Sequence, residues 1–198
     1  MVLEELSSIA VGDLPLDAFK AHLRMGSGFA DDAVQDEVLE SYLQAAMAAI
    51  EARIGKMLFV RTVGWTFEEW AQSYAQPMPV APVVAITSIE LIDSEETATL
   101  ADPTTYLLRR DVHRPKIVAV GAALPTIPTL GKVRVVFDAG FGSSWADVPA
   151  DLGHAVFLLA AHYYENRTDT SGAGGLMPFG VMALLEPHRN IRILGSGV

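Results

Sequence analysis

At Gly55 the hydrophobic pattern of the chain changes period, and near Asp147 it changes back. From about Asp32 to Ile54, the residues Val34, Val38, Tyr42, Ala46, Ile50 and Ile54 recur every four positions, as one face of a helix does. Beyond Leu58, the series Val60, Thr62, Gly64, Thr66 alternates with Arg61, Val63, Trp65, Phe67. At the far end of the same region Val133, Val135 and Phe137 alternate with Arg134, Val136 and Asp138. Successive strand side chains point to opposite faces, so a period of two marks half-buried strands, and a helix-period segment does not serve as one. The class that follows is α+β: a helical bundle of about three main helices, an inserted antiparallel β-rich region at about 58–142, and a C-terminal arm.

The helices are expected at about 15–24, 32–55 and 148–168. Pro15 suits a first turn, where its missing N–H costs no hydrogen bond, and Leu16, Phe19 and Leu23 share a face. Asp32 and Gln35 have the spacing of a capping box, and Gly55 is a plausible stop for the second helix. Asp147 is expected to cap the third helix, with Pro149 in its first turn and Leu152, Val156, Leu159 and Tyr163 as its apolar stripe. In the inserted region, strands fit VVAITSIELID (83–93), TYLLR (105–109), PKIVAV (115–120) and KVRVVFDAG (132–140), with DSEETATLADP (93–103) as a solvated loop. Short strands with turns between them favour antiparallel pairing over βαβ units. The expected division is one domain over 1–169, then a hinge and arm over 170–198. The glycine string GAGG (172–175) supplies the hinge. Pro178 opens a short helix through Leu185, and Pro187 closes it.

Bulk numbers narrow the function. Hydrophobic residues are 51% and charged ones 19%, below the usual share of about 25%, so the apolar surface exceeds what one monomer readily hides and hints at assembly. The formal net charge of −10 repels phosphates, and sequence-specific DNA binding is not expected. The absence of cysteine removes disulfides, thiolate catalysis and cysteine zinc sites. MVLEELSSIAVGDLPLDAFK lacks the pattern of a signal peptide, and AVFLLAAHYY is too short and turns too polar to span a membrane. A soluble product of cytoplasmic synthesis is the expectation.

Each candidate for chemistry has a plain structural competitor. His154, His162 and Glu165 contain metal-ligating types, but HExxH is absent and the two histidines lie eight residues apart. GFGSSW (140–145) has no following Lys-Ser/Thr and no surrounding βαβ unit, and reads as a strand-to-helix turn. Ser143 and Ser144 lie near Asp147 and His154 in sequence, without the GxSxG elbow. The carboxylate pairs 31–32, 68–69 and 95–96 read as cap or loop charges. No enzyme, catalytic residue, metal or cofactor is expected.

Tyr163, Tyr164 and Arg167 combine contact area with polar tips, as interface anchors do. They equally fit a core tyrosine with an arginine placed at a helix end by the helix dipole. Phe179, Val181, Met182, Leu184 and Leu185 give the arm an apolar face, and Arg189 and Arg192 make its end basic. Such a face is costly in water and favoured in a partner's groove.

The order of five blocks carries a resemblance. They are PLDAFKAHLR (15–24), DDAVQDEVLESYLQAAMAAIEARIGKML (31–58), PMPVAPVVAITSIELID (77–93), VRVVFDAGFGSSWADVPADLGHAVFLLAAHYYENR (133–167) and PFGVMALLEPHR (178–189). Together they resemble the head–tail connector, or adaptor, family of tailed bacteriophages, and are similar in particular to adaptors of phage-derived gene transfer agents. The resemblance implies a homo-oligomeric ring, dodecameric in the family, between the capsid portal protein and a stopper or tail-completion protein at the particle neck. Double-stranded DNA would transit it without sequence-specific binding. It also implies that the segment from about Thr170 to Val198 docks on the portal, and it brings no catalytic residue. Two other readings share the sequence: a small metal-dependent hydrolase using His154, His162 and Glu165, and an acidic module that mimics DNA.

Overall fold

The alternating segments become the centre of a five-stranded antiparallel sheet. The structure, a computed structural model, describes residues 1–24, 33–167 and 177–189. The chain divides into two units: Met1–Ile9 with Lys56–Ser143, and Ala10–Gly55 with Ser144–Val198. Every described strand lies in the first and every described α-helix in the second. The class is α+β.

The first unit holds β1 (Val2–Glu5), β2 (Arg61–Phe67), β3 (Ala75–Pro77), β4 (Val83–Ile92), β5 (Ala98–Leu100), β6 (Tyr106–Arg109), β7 (Lys116–Ala119) and β8 (Lys132–Ala139). One sheet runs β1-β2-β8-β4-β5, the other β3-β7-β6, and all pairs are antiparallel. Register follows the alternation: Val63 opposes Phe137 and Trp65 opposes Val135, and these side chains are buried. Ile117 of β7 and the partly buried Tyr106 and Leu108 of β6 join the same core, so both sheets share it. On the other face Thr62 Oγ1 donates to Asp138 at 2.8 Å, while Arg61, which shares the face of Val63 and Trp65, is held by Glu5 at 2.9 Å. Gly140, at φ +143°, lets Leu58–Val60 approach the chain after β8. There Val60 N–H donates to Gly142 O at 2.8 Å. The loop expected at 93–103 contains β5, whose three residues are all exposed.

The second unit holds α1 (Leu16–His22), α2 (Ala33–Ile54), α3 (Ala150–Glu165) and α4 (Phe179–Leu185). In α2 the buried face is Leu39, Leu43, Ala46, Met47, Ile50 and Ile54. This corrects the expected stripe, since Val38 is exposed and Tyr42 only half-buried; the side chain of Val34 is not among those described. Steps of four advance about 40° around a helix each time, so a strict four-residue series drifts off the face it starts on. Gly55, at φ +66°, ends the helix in the left-handed conformation. Phe19 of α1 is fully buried and stacks on Phe157 of α3 at 5.9 Å, and Lys20 pairs with Asp36 of α2 at 2.6 Å.

One expected cap differs. The Asp147 carboxylate accepts from Ser144 N–H at 3.0 Å and Ser144 Oγ–H at 2.9 Å. It closes the 3-10 turn Trp145–Asp147, while Pro149 takes the N-cap position of α3. Asp32 lies outside the described residues, and its expected partner Gln35 donates to the Tyr164 hydroxyl at 3.2 Å.

Candidate partner-binding surface

Tyr163, Tyr164 and Arg167 stand at the C-terminal end of α3. The Tyr164 ring meets Tyr42 of α2 edge-on at 6.1 Å, and its hydroxyl accepts the Gln35 bond. Arg167 lies 4.7 Å over the same ring and donates to Tyr164 O at 2.9 Å, satisfying a free carbonyl at the helix end. Tyr164 and Arg167 are thus engaged within their own subunit, although the Arg167 side chain stays exposed. Tyr163 is half-buried beside the His162 ring, with centroids 6.2 Å apart.

The arm divides along its helical period. Val181 and Leu185, four residues apart, are 0% and 1% exposed, seated against α3. Their burial corrects the expectation that the arm's apolar side chains are unsatisfied within their own subunit. The apolar face that one helix offers is taken by its neighbour in the same chain. Met182 and Leu184 are half-buried, and Phe179 is 80% exposed. Arg189 is exposed and paired with Glu186 at 3.0 Å. Arg192 and the glycine string 172–175 lie outside the described residues.

A pair that sequence reading missed holds the arm's end. His188 Nε2 lies 2.6 Å from Asp151 Oδ2 in the first turn of α3. Burial pushes the Asp151 carboxyl up. Bonds from His188 and from the Leu152 N–H, with the charge of His188, outweigh it and hold the group below the usual carboxylate range. Nothing in the sequence links a first-turn aspartate to a histidine behind Pro187; only the return of α4 onto α3 joins them.

The alternative metal reading finds no geometry. His162 Nδ1 lies 3.0 Å from the Asn166 amide, and His154 sits edge-on to His22 at 6.1 Å. Among the described residues no three His, Asp or Glu side chains converge as metal ligands do, and no helix is long and apolar enough to cross a membrane.

No protein-family model matches the sequence, and neither does any curated protein. Solved structures do. The chain is 47% identical, at a TM-score of 0.90, to one in the neck of an empty gene transfer agent particle computed with C6 symmetry. It is 46% identical, at 0.88, to one in the virion of a native particle. It is 43% identical, at 0.84, to one in the neck of a native particle computed with C12 symmetry. Each likeness covers 99% of both chains. The chain belongs to the head–tail connector, or adaptor, family. It is a structural adaptor of the particle neck, at the head–tail junction. Since the likeness runs through both units, the β-rich region belongs to the adaptor as a whole and is no private addition of this chain.

Proposed function

We propose that the adaptor closes into a dodecameric ring between the capsid portal protein and the stopper or tail-completion protein, and that double-stranded DNA passes through it without sequence-specific binding. The observation that carries this reading is the end-to-end likeness to a neck chain solved with C12 symmetry. The net charge of −10 supports free passage, because a wall that repels phosphates does not hold the duplex. On this reading the portal-facing side chains are those α4 and its end leave outside their own fold, Phe179, Met182, Leu184 and Arg189, together with Arg192, which is outside the described residues. Tyr163, Tyr164 and Arg167, at the end of α3, complete the proposed set. Val181 and Leu185 contribute indirectly, by seating α4.

The test is native mass spectrometry of the full chain with and without the portal protein. The expected result is a twelve-subunit ring that the portal stabilises. Deletion of 190–198, or Phe179→Ala, is expected to weaken portal binding without unfolding the chain. A chain that stays monomeric with the portal present overturns the ring; unchanged portal binding in both variants removes the arm's role.

A further inference from the structure

Four of the 14 Lys and Arg residues of this acidic chain fall between Arg109 and Lys116, in the β6–β7 hairpin. Arg109, Arg110, Val112, His113 and Arg114 are all exposed. The Asp111 carboxylate among them is occupied by its own turn, accepting from the N–H groups of His113 and Arg114, each at 2.7 Å. The tip is therefore a preshaped cationic knob with an apolar residue at its centre.

A groove of about 1020 Å³ lies elsewhere in the same unit. Trp65, Phe67 and Ile127 supply apolar walls, and Glu68, Glu69 and Glu96 stand exposed on its rim. Lys132, which also lines it, is taken up by Glu96 at 2.7 Å. Knob and groove sit at opposite ends of the five-stranded sheet. The groove includes Phe67, the last residue of β2, and Lys132, the first of β8. The knob's His113 reaches Lys56 at 3.0 Å. Lys56 bridges to Ala81 just before β4, whose Val83 pairs with Ala139 at the far end of β8. Eight residues of β8 separate the two by about 24 Å.

We propose that neighbouring copies of the adaptor in the ring join through their β-rich units, the cationic β6–β7 tip of one copy seating in the acidic groove of the next. The proposal rests on the ring reading above. A closed ring of identical subunits requires two different, complementary surfaces on one body, facing apart. Opposite charge at the two ends supplies steering and register, and it penalises tip-to-tip and groove-to-groove encounters. The apolar groove walls receive Val112, while the arginines meet the rim carboxylates.

The chain has no cysteine, so Val112→Cys with Leu130→Cys, a 90% exposed groove residue, gives a clean cross-linking pair. Oxidation of assembled full-length rings with copper phenanthroline is expected to give a reducible ladder of multimers, absent from either single variant. Arg109→Glu with Arg110→Glu is expected to abolish the ladder and the ring, and adding Glu68→Arg with Glu69→Arg to restore both. Rings that form without a ladder and survive the charge reversal overturn this contact and leave the ring reading standing. Dimers from a single cysteine variant overturn it as well, and so does a reversal that lowers DNA binding while the ring persists, which assigns the tip to phosphates. A wild-type chain that forms no ring even with the portal removes the ring reading itself.

Discussion

Replacing Leu185 by Ala separates the adaptor's own stability from its docking. The side chain is 1% exposed and α4 has only seven residues, too few to persist alone in water. Its helix therefore exists because Val181 and Leu185 are buried against α3. Truncating a buried leucine to alanine costs about 2–5 kcal/mol. Phe179, at 80% exposure, is the control: its replacement by Ala should change stability by no more than about 0.5 kcal/mol. If a portal groove covers it, up to about 120 Å² of apolar surface is buried, worth at most about 3 kcal/mol or roughly a hundredfold in Kd. The assay is urea unfolding followed by helical circular dichroism, which reports the second unit because every described α-helix lies there. Portal binding is measured in parallel. Leu185→Ala should lower the unfolding midpoint, and Phe179→Ala should lower binding alone. A Leu185→Ala midpoint equal to wild type would refute the seating of α4 on α3, and with it the division of the arm into an inner and an outer face.

Gly140→Ala should be the most damaging glycine change in the β-rich unit: a Cβ there falls well inside 3.0 Å of the Phe59 backbone at φ +143°. A loss of about 3 kcal/mol or more is expected in thermal unfolding, and a wild-type melting curve would count against the close approach. Asp151→Asn should weaken the hold of the arm's end at neutral pH. The native carboxyl lies below its unfolded value, so the unfolded chain binds the extra proton and stability rises with pH through that window. The gap between wild type and variant should be full above about pH 4 and close as pH falls through the native pKa; a gap that persists in acid would assign it to packing instead.

Periodicity carried the sequence reading where one face is buried and the element is long. In β2 and β8 the alternation marks which side chains enter the core, and Pro178 and Pro187 bracket α4 closely. It failed where backbone bonds alone make the element. β1 is a four-residue edge strand exposed throughout, so its side chains follow no inside–outside alternation, and its partner β2 begins some sixty residues later. β3 and β5 have three residues each, too short for any period. At the candidate site, the spacing of Val181 and Leu185 does show a face that must be covered. It is silent on whether a partner or the chain's own α3 covers it, because both would select the same residues.

The acidic balance and the basic hairpin bear on one another through the ring. A duplex slides past a wall of carboxylates, but three arginines on one exposed tip would grip it if they faced the passage. Seated in the next copy's groove, the arginines are withdrawn from the passage and neutralised by Glu68 and Glu69, so closing the ring would itself leave an acidic exterior. The two modes of cohesion then differ in physics. Contacts between exposed charges are screened beyond about 8–10 Å at physiological salt, so ring closure through the tips weakens as salt rises. The seating of α4 on α3 is apolar and does not weaken, because non-specific salt leaves burial of hydrocarbon intact or strengthens it. Subunits released from a ring by salt would therefore keep their arms folded and ready to dock.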